Sequence, residues 1–177
     1  MIYLLVIAFF TGFLSKLTDL IEEHEMKLSL WVSGLSGIIY GFLIAFVISV
    51  SFELSALWIA VVASMIATKK IDSFGHYLGI ASLVFSAFFL GIAEINYLFL
   101  GVFFVVSVGE ELINNKITDA GKIKNKLLNE FMKLRPLLEI TALIVSFFSG
   151  LWLIWFGLLA FDLGYILIDK IRNRFSL

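Results

Sequence analysis

The stretch LIVSFFSGLWLIWFGLLAF, residues 143–161, decides the fold class, because it contains no charged residue. A second run, IIYGFLIAFVISVSF at 38–52, is also uncharged, and in both runs apolar side chains would cover every side of a helix. Transmembrane β-strands would instead alternate apolar and polar residues with a period of two. The two runs therefore predict an all-α protein, a polytopic integral membrane helical bundle.

The composition of the chain supports the same class. Hydrophobic residues make up 61% of the 177 residues and charged residues 15%, with a mean hydropathy of +1.04. A soluble domain has roughly half apolar and a quarter charged residues. The chain has no cysteine, which excludes disulfides, thiolate metal sites and cysteine nucleophiles. We expect a single membrane domain over residues 1–177.

Apolar runs predict about seven membrane helices. If residues 137–168 formed one helix there would be six, but that helix would be about 48 Å long, against a hydrocarbon core of about 30 Å. A turn at Ser149-Gly150 gives seven helices, and Gly37 and Gly41 would allow two helices to approach closely. The predicted ranges are 2–16, 29–49, 54–68, 77–92, 95–113, 137–149 and 151–168.

Lysine and arginine lie on one side of this predicted topology. All 13 follow the first, third, fifth or seventh helix, and none lies with the N-terminus, Glu53, Glu94 or the turn at Ser149-Gly150. By the positive-inside rule the N-terminus is outside and the C-terminus is cytoplasmic. The sequence thus predicts a multi-pass protein of the cell membrane.

The long connection at 114–135 is predicted to be a cytoplasmic amphipathic segment. Within GKIKNKLLNEFMKL, the apolar residues repeat at helical spacing while the lysines face elsewhere. This pattern is typical of a helix lying at the interface on anionic lipid. The alternative is a solvated helix packed on the bundle. We expect membrane lipid to be a partner and see no pattern for nucleic-acid binding.

Asp162 is the carboxylate that the sequence predicts deepest in the membrane. It precedes Asp169 by seven residues, which is about 10 Å along a helix, on the same face. Tyr165 lies between them on that face. A carboxylate at this depth costs about 2.5–3.5 kcal/mol unless it faces a wet cavity or a partner, so it predicts a functional site. Glu139 is expected at a similar depth.

Acidic residues from several segments are predicted to meet at the cytoplasmic boundary. Asp19 and Glu23 have the i, i+4 spacing of two ligands on one helix face, although a charged helix end is an equal reading. Carboxylate oxygens are suitable ligands for Mg²⁺, and adjacent lysine or arginine suits a phosphate. The predicted metal ligands are Asp162, Glu110, Glu111, Asp19 and Glu23. The predicted substrate-binding residues are Lys69, Lys70, Arg135, His76, Tyr165 and Glu139.

Three functions fit these patterns. The first is a divalent-metal-dependent enzyme, with Mg²⁺ as the expected ion, acting on a lipid or isoprenoid phosphate at the cytoplasmic leaflet. The second is a cation or small-solute transporter with Asp162 and Glu139 along its pathway. The third is a non-catalytic membrane assembly protein whose charges only mark topology. No complete enzyme motif is present, and Asp72 or Ser73 reads first as the N-cap of the fourth helix.

Overall fold

Seven α-helices make up the described residues of the computed structural model, which are 1–23, 26–114 and 136–175, and these ranges contain no strand. The predicted split of 137–168 into two helices is confirmed. Gly150 lies between them with a φ of 76°, a left-handed conformation that suits glycine. The helices are α1 (Ile2–Glu22), α2 (Leu30–Val50), α3 (Phe52–Ala67), α4 (Phe74–Leu90), α5 (Tyr97–Ile113), α6 (Pro136–Ser149) and α7 (Leu153–Phe175).

Short polar residues explain where several helices begin. Ser51 alone separates α2 from α3, and its hydroxyl accepts a hydrogen bond from the backbone N–H of Leu54 at 3.3 Å. The side chain of Asn96 accepts from the N–H groups of Leu98 and Phe99 and so caps α5. These caps stand where the sequence predicted tight connections.

The C-terminal ends of α1 and α7 are the main differences from the predicted ranges. We expected these helices to end at residues 16 and 168, but they continue to Glu22 and Phe175. The extension of α1 is stabilised because its charged residues find partners on other helices. The predicted amphipathic segment at 114–135 lies outside the described residues, apart from Asn114.

Close helix contacts depend on glycine. Gly37 and Gly41 of α2 face Gly75 and Gly79 of α4, and a Cβ atom added at Gly37 would lie 2.1 Å from the Gly75 carbonyl oxygen. Only glycine permits backbones to approach this closely. The register, with 37 beside 75 and 41 beside 79, shows that α2 and α4 run in the same direction. The predicted role of Gly37 and Gly41 in close helix approach therefore agrees with the structure.

Two other helix pairs are parallel in the same way. Gly12 of α1 lies against the backbone of Phe161 on α7, and Asp19 lies beside Tyr165. For α3 and α5, the Ser55 hydroxyl donates to the Glu94 carbonyl oxygen, just before α5, at 3.0 Å, and Ser64 is hydrogen-bonded to Ser107 at 2.6 Å. Alternate helices are parallel, the linkers between the first five helices are short, and Glu110 near the end of α5 bonds to the start of α6. The C-terminal ends of α1, α3, α5 and α7 therefore share one end of the bundle with the N-termini of α2, α4 and α6. We call this the charged end.

The outer surface is strongly apolar while the interior contains polar groups. Phe88 and Phe148 are each 83% exposed and Trp31 is 82% exposed. The buried side chains include not only Leu57, Phe103 and Ile154 but also several hydroxyl-bearing residues, His76 and Glu110. Of the helices described, only α1 and α2 are long and apolar enough to cross a membrane, while α3, α4 and α6 are apolar but shorter. Helix length alone thus indicates a membrane protein without establishing how many times it crosses.

Candidate functional site

A chain of hydrogen bonds joins four helices near the charged end. His76 of α4 lies between Asp19 of α1 and Tyr40 of α2, with its Nε2 atom 2.6 Å from Asp19 Oδ1 and its Nδ1 atom 2.7 Å from the Tyr40 hydroxyl. The Tyr165 hydroxyl of α7 donates to the other oxygen of Asp19 at 3.1 Å. We call these four residues the Asp19–His76 network.

The chemistry of the partners favours one arrangement of protons in this network. A carboxylate only accepts hydrogen bonds, so His76 Nε2 carries the hydrogen that points at Asp19. His76 Nδ1 can then accept a hydrogen bond from the Tyr40 hydroxyl. Every polar side-chain atom of the Asp19–His76 network then has a partner. His76 is only 7% exposed, which makes complete pairing important, because an unpaired buried polar group is costly.

Lys16 extends the network on its α1 side. Its ammonium group lies over the ring of Tyr165, 5.0 Å from the ring centre. A cation over an aromatic face is attracted by the ring, and the same lysine brings positive charge close to Asp19, one turn further along α1. Lys16, Asp19 and Tyr165 therefore tie α1 to α7.

Glu22 anchors the start of α4. Its Oε1 atom accepts hydrogen bonds from the Ser33 hydroxyl at 2.5 Å and from the backbone N–H of Gly75 at 2.8 Å. Ser73 occupies the predicted N-cap position, but its hydroxyl makes no capping bond and finds no hydrogen-bond partner within the part of the chain that the structure describes. The carboxylate of another helix thus satisfies the first turn of α4, where the local sequence predicted a serine or aspartate cap.

Glu110 plays the same part for α6. It is 1% exposed, and its two carboxylate oxygens accept from the backbone N–H groups of Leu137 and Leu138 at 2.8 and 3.1 Å. A negative charge at a helix N-terminus is favoured by the free N–H groups and the helix dipole. Glu110 therefore has a structural role that accounts for its burial, and Glu111 is buried beside it.

Glu139 of α6 and Asp162 of α7 are neighbours. The Glu139 side chain is within hydrogen-bonding reach of Asp162 and of Trp155. Its Oε1 atom is buried and has no hydrogen-bond partner among residues 1–23, 26–114 and 136–175. Two carboxyl groups bond to each other only when one of them carries a proton. This pair is separate from the Asp19–His76 network, which contains Tyr165, one turn beyond Asp162 on α7.

The predicted metal ligands are distributed over different contacts. Asp19 bonds to His76, Glu110 caps α6, Asp162 lies beside Glu139, and Glu23 is exposed at the end of α1. Among the described residues no three His, Asp or Glu side chains are grouped closely enough to hold a metal ion. The Mg²⁺ site formed by Asp162, Glu110, Glu111, Asp19 and Glu23 stays a prediction without support from this arrangement.

The predicted phosphate-binding residues are only partly described. Arg135 lies outside the described residues, and Lys70 is half-buried with its own interactions. Lys69 is exposed and ends α3 in a Schellman turn, in which Lys70 N–H bonds to Met65 at 3.0 Å and Lys69 N–H to Ile66 at 3.2 Å. Its φ of 57° is left-handed, which costs a residue other than glycine about 1–2 kcal/mol.

Sequence reasoning named Asp19 as a metal ligand and His76 and Tyr165 as substrate-binding residues, but it missed Tyr40 and the anchoring role of Glu22. Tyr40 lies between Gly37 and Gly41 in an apolar run, and its hydroxyl touches the site where Gly79 lacks a side chain. A tyrosine among helix-packing glycines was the available signal, since its hydroxyl needs a partner once the helix pair closes.

No protein-family model matches this chain, and neither a curated protein nor a solved structure shows significant similarity to it.

Proposed function

We propose that this chain is a polytopic membrane protein that binds a lipid or isoprenoid phosphate at its charged end, in the cytoplasmic leaflet. The observation that carries the proposal is the contrast between an apolar outer surface and polar contacts collected near one end of the bundle. Exposed aromatic side chains such as Phe88 and Phe148 would cost about 25 cal/mol for each Å² of apolar surface in water, but not in lipid.

Short helices are compatible with several crossings. The helices α3, α4 and α6 have 16, 17 and 14 residues, or about 21–26 Å at 1.5 Å per residue. A bilayer becomes thinner around short helices at a cost of a fraction of a kcal/mol per Å of mismatch. Seven crossings with the N-terminus outside would keep every lysine and arginine in the cytoplasm.

Cysteine labelling tests this topology, and the absence of native cysteine makes the experiment simple. Single cysteines at Glu53 and Glu94 should react with a membrane-impermeant reagent from outside. Cysteines at Lys69 and Arg174 should react only after the membrane is opened. External labelling at position 174 together with internal labelling at 69 would contradict an odd number of crossings.

The lipid part of the proposal is supported by Lys69, an exposed cation at the charged end, and by the polar network nearby. Two possibilities, the metal-dependent enzyme expected from the sequence and a protein that binds the lipid without catalysis, give different results in one assay. The purified protein is incubated with phosphatidic acid or a polyprenyl diphosphate, in Mg²⁺ or in chelator, and thermal unfolding and phosphate release are measured. We expect the lipid to raise the melting temperature in both conditions.

The outcomes of this assay separate the functions. Phosphate release that requires Mg²⁺ would identify an enzyme, the first of the three functions that fit the sequence. Stabilisation without release would identify a binding protein. If neither lipid stabilises the protein, the lipid proposal is wrong whatever the topology.

Cation transport is a second candidate, favoured by the contact between Glu139 and Asp162. A carboxyl pair that shares a proton inside an apolar bundle is a common element of proton pathways. If it moves protons, proteoliposomes containing the parent should dissipate a pH gradient. Asp162→Asn should not, although it keeps a hydrogen bond to Glu139.

A further inference from the structure

An open groove lies beside α4, on the side opposite the Asp19–His76 network. It has a volume of about 1060 Å³ and is formed by the end of α3, the following linker and the exposed face of α4. One end has Lys69, Asp72 and Tyr77, while the rest is lined by apolar side chains that include Val84, Phe88 and Phe89. The groove thus has a charged mouth at the charged end of the bundle and an apolar body.

The length of the groove suits one leaflet of a bilayer. Tyr77 and Phe88 are eleven residues apart on α4, which is about 16 Å at the helical rise. That is about half of a 30 Å hydrocarbon core. A single acyl or isoprenoid chain beginning at the mouth would therefore lie along α4 to about the middle of the membrane.

Lys69 supplies the second observation. Its left-handed backbone occupies the position of the Schellman turn where glycine is strongly preferred. Among the described residues nothing forms an ion pair or hydrogen bond with the Lys69 ammonium group, so no polar contact there explains a lysine at this position. The strained backbone of Lys69 is explained if its side chain binds a ligand at the mouth of the groove.

We infer that the groove binds one chain of an anionic membrane phospholipid, with the Lys69 ammonium group on the lipid phosphate. Asp72 at the same mouth accepts a hydrogen bond from a hydroxyl or ammonium group of the headgroup. The chain of the lipid covers the aromatic side chains that α4 exposes. This inference rests on the proposed membrane location and names the site at which the proposed lipid binds.

The test uses the full-length protein in detergent micelles, with dioleoyl phosphatidylglycerol as the ligand. Dioleoylglycerol, which has the same chains and no phosphate, is the control ligand. Lys69→Gly removes the cation and relieves the strained backbone, and Lys27→Gly changes an exposed lysine in a different loop. We measure the melting temperature without lipid and the affinity for each lipid.

Lys69→Gly should melt at or above the temperature of the parent without lipid, because glycine is favoured at a left-handed position. It should bind phosphatidylglycerol about tenfold more weakly, the usual effect of losing a hydrogen bond to a charged group. Its affinity for dioleoylglycerol should not change, and Lys27→Gly should bind both lipids as the parent does.

A second variant tests the body of the groove. Ala81 is exposed in its wall, and Ala81→Trp should weaken the binding of both lipids without lowering the melting temperature. If Lys69→Gly and Ala81→Trp both bind phosphatidylglycerol as the parent does, the groove is not the lipid site, although the proposed function stands. If the parent binds no phosphorylated lipid, the proposed function fails as well.

Discussion

The two faces of α4 make opposite kinds of contact. On one face Gly75, His76 and Gly79 pack against α1 and α2 with close backbones and paired polar groups. On the other face Tyr77 and Phe88 are exposed and line the groove. His76 and Tyr77 are neighbours in sequence, but His76 is buried and Tyr77 is exposed. The inner face therefore holds the bundle together, while the outer face stays exposed, as the proposed lipid groove requires.

The largest expected effect comes from crowding the inner face. Gly37→Ala would place a Cβ atom 2.1 Å from the Gly75 carbonyl oxygen, so α2 and α4 must separate, and we expect a loss of about 3 kcal/mol of stability. Gly101→Ala is the matched control, since nothing lies within 4 Å of a Cβ there. Chemical unfolding in mixed micelles measures both. Equal stability of the two variants would mean that the close approach of α2 and α4 is unimportant.

The second-largest effect is expected from removing the Glu110 carboxylate, which caps the start of α6. Glu110→Ala leaves the Leu137 and Leu138 N–H groups without their acceptor, and we expect a loss of about 2 kcal/mol. Exposed Glu94→Ala should change stability by less than about 0.5 kcal/mol. The measurement is repeated in Mg²⁺ and in chelator. A loss that appears only in Mg²⁺ would identify Glu110 as a metal ligand instead of a helix cap.

A smaller effect is expected from removing one hydroxyl on each side of α4. Tyr40→Phe deprives His76 Nδ1 of its donor and should cost about 1 kcal/mol. Tyr77→Phe, on the exposed face, should leave stability within about 0.5 kcal/mol of the parent. If both substitutions cost the same, the comparison between buried and exposed faces does not hold.

The same two variants, Tyr40→Phe and Tyr77→Phe, also test which nitrogen of His76 carries the hydrogen in the Asp19–His76 network. The chain has only two histidines, so His24→Gln leaves His76 as the single imidazole. Nitrogen NMR of that variant should show the hydrogen on Nε2 and an accepting Nδ1. Tyr40→Phe should change the Nδ1 signal and Tyr77→Phe should not. A hydrogen on Nδ1 in the parent would reverse the assigned direction of the Tyr40 bond.

Much of the helical architecture followed from the sequence. The seven ranges were predicted from apolar runs, and the break at Gly150 was required because one helix over 137–168 would be too long. The ends of α1 and α7 were not predicted. Charged residues lower the hydropathy and so end the apolar stretch from which a helix is predicted, although the helix itself continues. Asp19 and Glu22 remain helical since their partners lie on α2 and α4.

Local sequence determined which segments are helical and which residues collect at the charged end, because hydrophobicity, length and turn residues act over short distances. Only the tertiary structure decided what each carboxylate does. Asp19 bonds to a histidine, Glu110 caps a helix and Asp162 lies beside Glu139, although all three had the same predicted role. The reason is that a carboxylate takes its function from the donors that surround it, and these donors come from helices that packing brings together over long distances in the chain.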